Sequence, residues 1–169
     1  MIDQRVQTDR VTKTQNRKKK DGRETRLQNI LVPIDFSAAA KAAFRYALDL
    51  AGRYRSEIIL LHVVTLSESE KADRAISAAK RNLARFCKTE GAPSKRCKSI
   101  VRTGIPFFEI TQSANGSGAD LIILGRRDSA FVGRFGEGHT SDRVVRYATC
   151  PVLVVRETGR HFVAMPDGA

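Results

Sequence analysis

Cysteine is scarce in this chain and poorly arranged for crosslinking: Cys87, Cys97 and Cys150 make an odd count with no Cys-x-x-Cys spacing. They fall in or beside predicted regular elements, so reduced thiols are expected and a disulfide framework is excluded. Cys87 and Cys97 would form a redox pair only if their backbones approached to about 6 Å. Histidine is equally thin, with His62, His139 and His161 in unrelated contexts. A structural zinc needs at least three convergent ligands, so no metal site is predicted. Long apolar runs are missing as well. The longest are strand-sized, against the ~20 residues of a membrane helix, and Met1-Ile-Asp-Gln-Arg5 begins no signal-peptide pattern. These absences predict a cytoplasmic protein with no membrane insertion.

Acidic residues are also short: 18 Asp and Glu face 30 Lys and Arg, a net charge of +12. Residues 1–26 hold nine basic and four acidic side chains, or +5, which leaves +7 on the other 143 residues. Such a balance favours anionic partners, whether nucleotides, nucleic acid or acidic lipid headgroups. Residues 1–27 have almost no apolar periodicity and culminate in Arg17-Lys-Lys-Lys20, so they are expected to form a mobile basic tail. One role for that tail is a salt-sensitive tether to nucleic acid or an acidic protein surface. The other is a plain solvated extension, favoured because no aromatic side chain interleaves the charges for base stacking. Residues 157–169, ending Pro166-Asp-Gly-Ala169, read as a flexible C-terminal tail.

Between the tails, an apolar content of 41% over the chain supports one domain with a real core. Asn29-Ile-Leu-Val-Pro-Ile34 is a near-continuous apolar run ending at Asp35, as expected of a strand covered on both faces. Ser37 is placed to cap a helix whose small positions Ala40, Ala43, Phe44, Ala47 and Ala51 recur at three-and-four spacing, with Gly52 marking its end. Glu57-Ile-Ile-Leu-Leu-His-Val-Val64 reads as a second strand, and Ala72, Ile76, Ala79, Leu83 and Phe86 mark one face of a polar helix. Beyond the breaker cluster Gly91-Ala-Pro-Ser94 come a third strand, Lys98–Arg102, and a helix opened by Pro106 and bearing Phe107, Ile110 and Ala114. Leu121–Leu124, a helix with Val144, Val145 and Ala148, and Pro151-Val-Leu-Val-Val155 complete the alternation. Strict alternation implies right-handed crossovers and a five-stranded parallel sheet with helices on both faces. Ligands of such sheets bind beyond the carboxyl ends of strands at a topological switch point, which directs attention to Asp35 and Gly125.

The loop after the fourth strand strengthens that expectation. Gly125, Gly133, Gly136 and Gly138 precede a helix opening near Thr140-Ser141-Asp142, an arrangement in which backbone N–H groups can face an anion such as a nucleotide phosphate. Arg126, Arg127, Arg134 and Arg143 either contact phosphate or form a solvated rim. No Gly-x-x-x-x-Gly-Lys-Ser/Thr motif occurs, nor a supported Ser-His-Asp or Cys-His arrangement, so no fast enzyme is predicted.

In order along the chain stand Ile30-Leu-Val-Pro-Ile-Asp-Phe-Ser37, Leu60-Leu-His-Val-Val64, Gly104-Ile-Pro106, Ala119-Asp-Leu-Ile-Ile-Leu-Gly125 and Cys150-Pro-Val-Leu-Val-Val155. Together they make residues 28–156 resemble the universal stress protein family. The resemblance implies a Rossmann-like three-layer α/β sandwich of the adenine nucleotide alpha hydrolase type, strand order 3-2-1-4-5, and a homodimer formed through the last strand. It also implies a stress-response sensor that binds ATP, with or without magnesium, at little or no hydrolysis. Asp35 would contact the adenosine portion, and Pro33 with Val63 or Val64 would line the base pocket; Asp35 reads equally as a turn or cap residue. ATP-binding members look like Gly-x-x-Gly, nine residues, then Gly-Ser or Gly-Thr. Here Gly125 and Gly138 match, Asp128 replaces the second glycine, His139 stands at the hydroxyl position and Thr140 follows one residue late. A carboxylate at Asp128 adds bulk and like charge, which Arg126, Arg127 and Arg134, a hydrogen bond from His139 or a bridging magnesium ion would offset. The alternative is a nucleotide-free family member that works as a dimerisation and partner-binding module.

Overall fold

The computed structural model describes residues 26–66, 72–92, 95–126 and 140–158. Strands and helices alternate strictly: β1 (Asn29–Pro33), α1 (Ala38–Tyr54), β2 (Glu57–Val64), α2 (Ala72–Thr89), β3 (Cys97–Thr103), α3 (Pro106–Ser117), β4 (Leu121–Arg126), α4 (Thr140–Tyr147) and β5 (Val152–Arg156). The five strands form one parallel sheet in the order β3-β2-β1-β4-β5. That is the predicted architecture. The two tails fall almost wholly outside the described residues.

The three central strands are apolar without alternation because both of their faces are covered. Ile30, Leu31, Val32, Ile58, Leu60, Leu61, Ile122 and Ile123 are all fully buried. Successive side chains nevertheless go to opposite layers, as a strand period of two requires. Ile30 and Val32 join α1 and α2 around Phe44, Leu83 and Phe86, whereas Leu31 joins α3 and α4 around Ile110, Ala114 and Val144.

Helix α1 begins where Ser37 caps it, the Ser37 hydroxyl accepting the Ala40 N–H at 3.2 Å. Ala39, Ala40, Ala42, Ala43, Ala47 and Ala51 are buried along it, so its backbone lies close on the sheet. Its end differs from the expectation at Gly52. The helix runs through that glycine to Tyr54, and the left-handed step falls on Arg55, at φ 57°, whose N–H bonds to the Ala51 carbonyl. The reason lies one residue on: Ser56 is fully buried and donates its hydroxyl to the Leu27 carbonyl at 2.6 Å, which sets where the chain must turn. A second difference is at α4, where Val144 is buried but Val145 is 54% exposed, and Ala148 lies just past the helix end.

Asp120 ties the first strand to the fourth. Its carboxylate accepts the backbone N–H groups of Gln28 at 2.8 Å and Asn29 at 3.0 Å, while its own N–H donates to the Asn29 carbonyl at 2.9 Å. The β1–β4 junction is the switch point of the sheet: β2 and β3 extend it on one side, β5 on the other.

Candidate functional site

The chain leaves β1 in a tight, specified turn. The Ile34 N–H still donates to the Leu61 carbonyl at 2.8 Å, and the backbone then bends through Asp35, Phe36 and Ser37 into α1. The Asp35 carboxylate accepts the Ser37 N–H at 3.0 Å and the Ser37 hydroxyl at 2.5 Å. Asp35 therefore fills the turn-and-cap role, and it does so with its side chain exposed at the carboxyl end of β1. Phe36 adopts a left-handed backbone, φ 63°, and its ring lies 4.6 Å from that of His62 and 6.1 Å from that of Phe86. The His62 Nδ1 is 2.6 Å from the Ile34 carbonyl, which can only accept, so Nδ1 carries a proton toward it. His62 is a strut beneath the turn.

At the end of β4, Gly125 meets the start of α1 backbone to backbone. A Cβ placed on it would stand 2.2 Å from the Ala39 carbonyl carbon and 2.6 Å from the Ala40 nitrogen. Its glycine identity thus has a packing cause in addition to any phosphate contact. Arg126 follows, 41% exposed at its side chain, with Nη1 3.2 Å from Oδ1 of Asp142 in the first turn of α4.

Between these elements lies a cleft of about 450 Å³, within the ~300–1,000 Å³ usual for small-molecule sites. Pro33, Asp35, Val63, Gly125, Arg126 and Thr140, all selected from the sequence, line it together. Of the two valines it is Val63, and not Val64, that lines the cleft from β2, beside Leu61 of the same strand. Arg127, Gly138 and His139, with Asp128, lie outside the described residues. Sequence reasoning named Ser141 at the anion-facing opening of α4 and Pro106 as a helix start, and missed Leu61, Ala40 and Ile110 as lining residues. Pro106 and Ile110 bring the first turns of α3 over the pocket, while Thr140 and Ser141 bring the amino-terminal end of α4 to it. The lining mixes apolar side chains with a few polar groups, the usual make-up of a small-molecule site.

Arg143 is elsewhere: its guanidinium lies 3.4 Å over the centre of the Phe107 ring, a cation–π contact, and Phe107 in turn packs on Tyr147. None of the three cysteines, all free, lines the pocket. Burial raises all three thiols, and Cys97 is pushed up to about 12, with the neighbouring Cys87 adding to the effect. Among the described residues no three His, Cys, Asp or Glu side chains converge as metal ligands, and no helix is long and apolar enough to cross a membrane.

A doubly wound parallel sheet with a cleft of this size at its switch point defines a Rossmann-like α/β domain with a candidate small-molecule site. Comparison with known proteins specifies it further. The chain belongs to the universal stress protein family, whose profile matches residues 26–156. A universal stress protein of Thermus aquaticus is 32% identical over 137 residues, covering 76% of this chain and 98% of the relative. Among solved structures, UspA of Lactobacillus plantarum superposes with a TM-score of 0.62 at 29% identity, covering 79% of this chain and 100% of the other. A universal stress protein in complex with cAMP (TM-score 0.61, 21% identity, 79% and 100% covered) has the same fold. So has one from Archaeoglobus fulgidus in complex with dAMP (TM-score 0.58, 22% identity, 78% and 99% covered).

Proposed function

We propose that this protein binds an adenine nucleotide, ATP or a close relative, in the switch-point cleft, and acts as a dimeric cytoplasmic stress-response sensor with little or no hydrolysis. The observation that carries the proposal is the convergence of Pro33, Asp35, Val63, Gly125, Arg126 and Thr140 on one cleft at the carboxyl ends of β1 and β4. Pro33, Leu61 and Val63 offer an apolar seat for a base, and Arg126 with the start of α4 offers positive potential for phosphate. The cAMP and dAMP complexes of proteins with this fold support the choice of adenine. Asp128, outside the described residues, is the carboxylate that would hold a magnesium ion, which would supply positive charge toward phosphate. Dimerisation is assigned to β5, an edge strand whose Val152, Leu153 and Val154 are only partly buried within one copy.

A nucleotide-free binding module is the second reading, and the Arg126–Asp142 ion pair favours it, because the cation among the described lining residues already has an anion. The basic residues 1–26 would then carry partner contact. Calorimetric titration of nucleic-acid-free protein with ATP, with and without magnesium, at near-physiological salt decides between them. Saturable binding with a dissociation constant near 1 μM, about −8 kcal/mol, is expected. No heat up to millimolar ATP would overturn the nucleotide reading.

A further inference from the structure

The same ion pair has a second meaning once a ligand is considered. Arg126 lines the cleft, and the carboxylate that engages it belongs to Asp142, the residue immediately after Thr140 and Ser141, which also line the cleft. We infer that Asp142 is a built-in competitor for ligand phosphate: its carboxylate holds the Arg126 guanidinium until a phosphate takes it, and so sets how tightly the cleft binds phosphorylated ligands. Asp142 is thereby a specificity-determining residue that acts through Arg126. The inference rests on the nucleotide reading of the cleft.

The geometry suits exchange. A guanidinium carries five N–H donors in a planar fork, and the contact with Asp142 is a single bond at 3.2 Å between Nη1 and Oδ1. Both side chains are 41–51% exposed, so the pair is screened by water and weak enough to open. A phosphate offers the same fork two oxygens and a larger negative charge, which makes it the stronger claimant. It must nevertheless displace the carboxylate or lie beside a like charge, and either lowers its apparent affinity. Apparent affinity is multiplied by the fraction of protein in which Arg126 is free, and residual repulsion lowers it further, which together give a factor of about three to ten.

A merely structural role for Asp142, as an acid in the first turn of α4, would not depend on whether the ligand has a phosphate. The test uses that difference. Full-length wild type, Asp142→Asn, Arg126→Gln and the double variant are titrated calorimetrically with AMP and with adenosine, after circular dichroism has checked each fold. Asp142→Asn is expected to bind AMP about three- to tenfold more tightly, with no comparable gain for adenosine. Arg126→Gln should bind AMP more weakly, and adding Asp142→Asn to it should restore only the repulsive share, less than the gain Asp142→Asn gives in the wild-type background. Equal AMP affinity in wild type and Asp142→Asn, or an equal gain with adenosine, would overturn the competitor role and leave the nucleotide reading standing. Failure of every variant to bind either ligand would overturn both.

Discussion

Replacing Gly125 by alanine should be among the most damaging single-methyl additions this fold can receive. The added Cβ would stand 2.2 Å from the Ala39 carbonyl carbon, 2.3 Å from its oxygen and 2.6 Å from the Ala40 nitrogen. Ordinary contacts between such atoms are about 3.5–4.0 Å, so β4 and the start of α1 must part by roughly 1–1.5 Å. No rotamer change relieves this, because every atom concerned is main chain. The buried Ala39, Ala40 and Ala43 leave α1 no slack against a close-packed sheet. Overpacking costs about 1–3 kcal/mol in general, and a backbone obstacle puts Gly125→Ala at the upper end, about 3 kcal/mol. For a domain of this size that is a fall in Tm of roughly 10 °C. Gly52 is the internal control: it lies inside α1 with nothing within 4 Å of an added Cβ, so Gly52→Ala should stabilise by about 0.5–1 kcal/mol through helix propensity. Urea unfolding followed by circular dichroism measures both, with an unchanged m-value expected. A Gly125→Ala variant within about 1 kcal/mol of wild type would refute the packing argument, since it would mean α1 shifts freely over the sheet.

Two further predictions concern partly buried groups. Asp120→Ala leaves the Gln28 and Asn29 N–H groups without their carboxylate acceptor and should cost about 1–3 kcal/mol in urea unfolding, with Asp120→Asn recovering part; a loss below about 0.5 kcal/mol would show that water substitutes for the carboxylate. Cys97, raised from 9.0 to about 12, stays protonated in the folded chain while the unfolded chain ionises, so its contribution is present below pH 9 and is lost as pH climbs toward 12. Wild type should therefore lose more stability between pH 8 and pH 10.5 than Cys97→Ala does; parallel losses would contradict the assignment.

The fold was legible because its strongest signals are local. Buried parallel strands read as unbroken apolar runs, Ser37 precedes a three-and-four pattern of alanines, and Pro106 opens α3 as its missing N–H allows. Half of the cleft was legible for a related reason, since the ends of β1 and β4 meet in any sheet of this order. What escaped depends on contacts between elements distant in sequence. Arg126 and Asp142 are 16 residues apart with no periodicity to link them, and Ile110 reaches the cleft only because α3 crosses above β1 and β2. Gly52 was misjudged because a helix-terminating glycine and a tolerated interior one look alike in sequence, while the demand for a left-handed residue came from Ser56 further along. Gly125 suggested only phosphate, because the approach of α1 that requires glycine there is a tertiary fact.

The turn at Phe36 has a thermodynamic consequence. A left-handed phenylalanine is disfavoured by about 1–2 kcal/mol, and here it is held by ring contacts with His62 and Phe86 and by the His62 bond to the Ile34 carbonyl. Those contacts come from the interior, so the bend that carries Asp35 is established when the chain folds and does not wait for a ligand. Whatever binds there meets a loop whose disorder was already lost, and the entropy of association is spared that share.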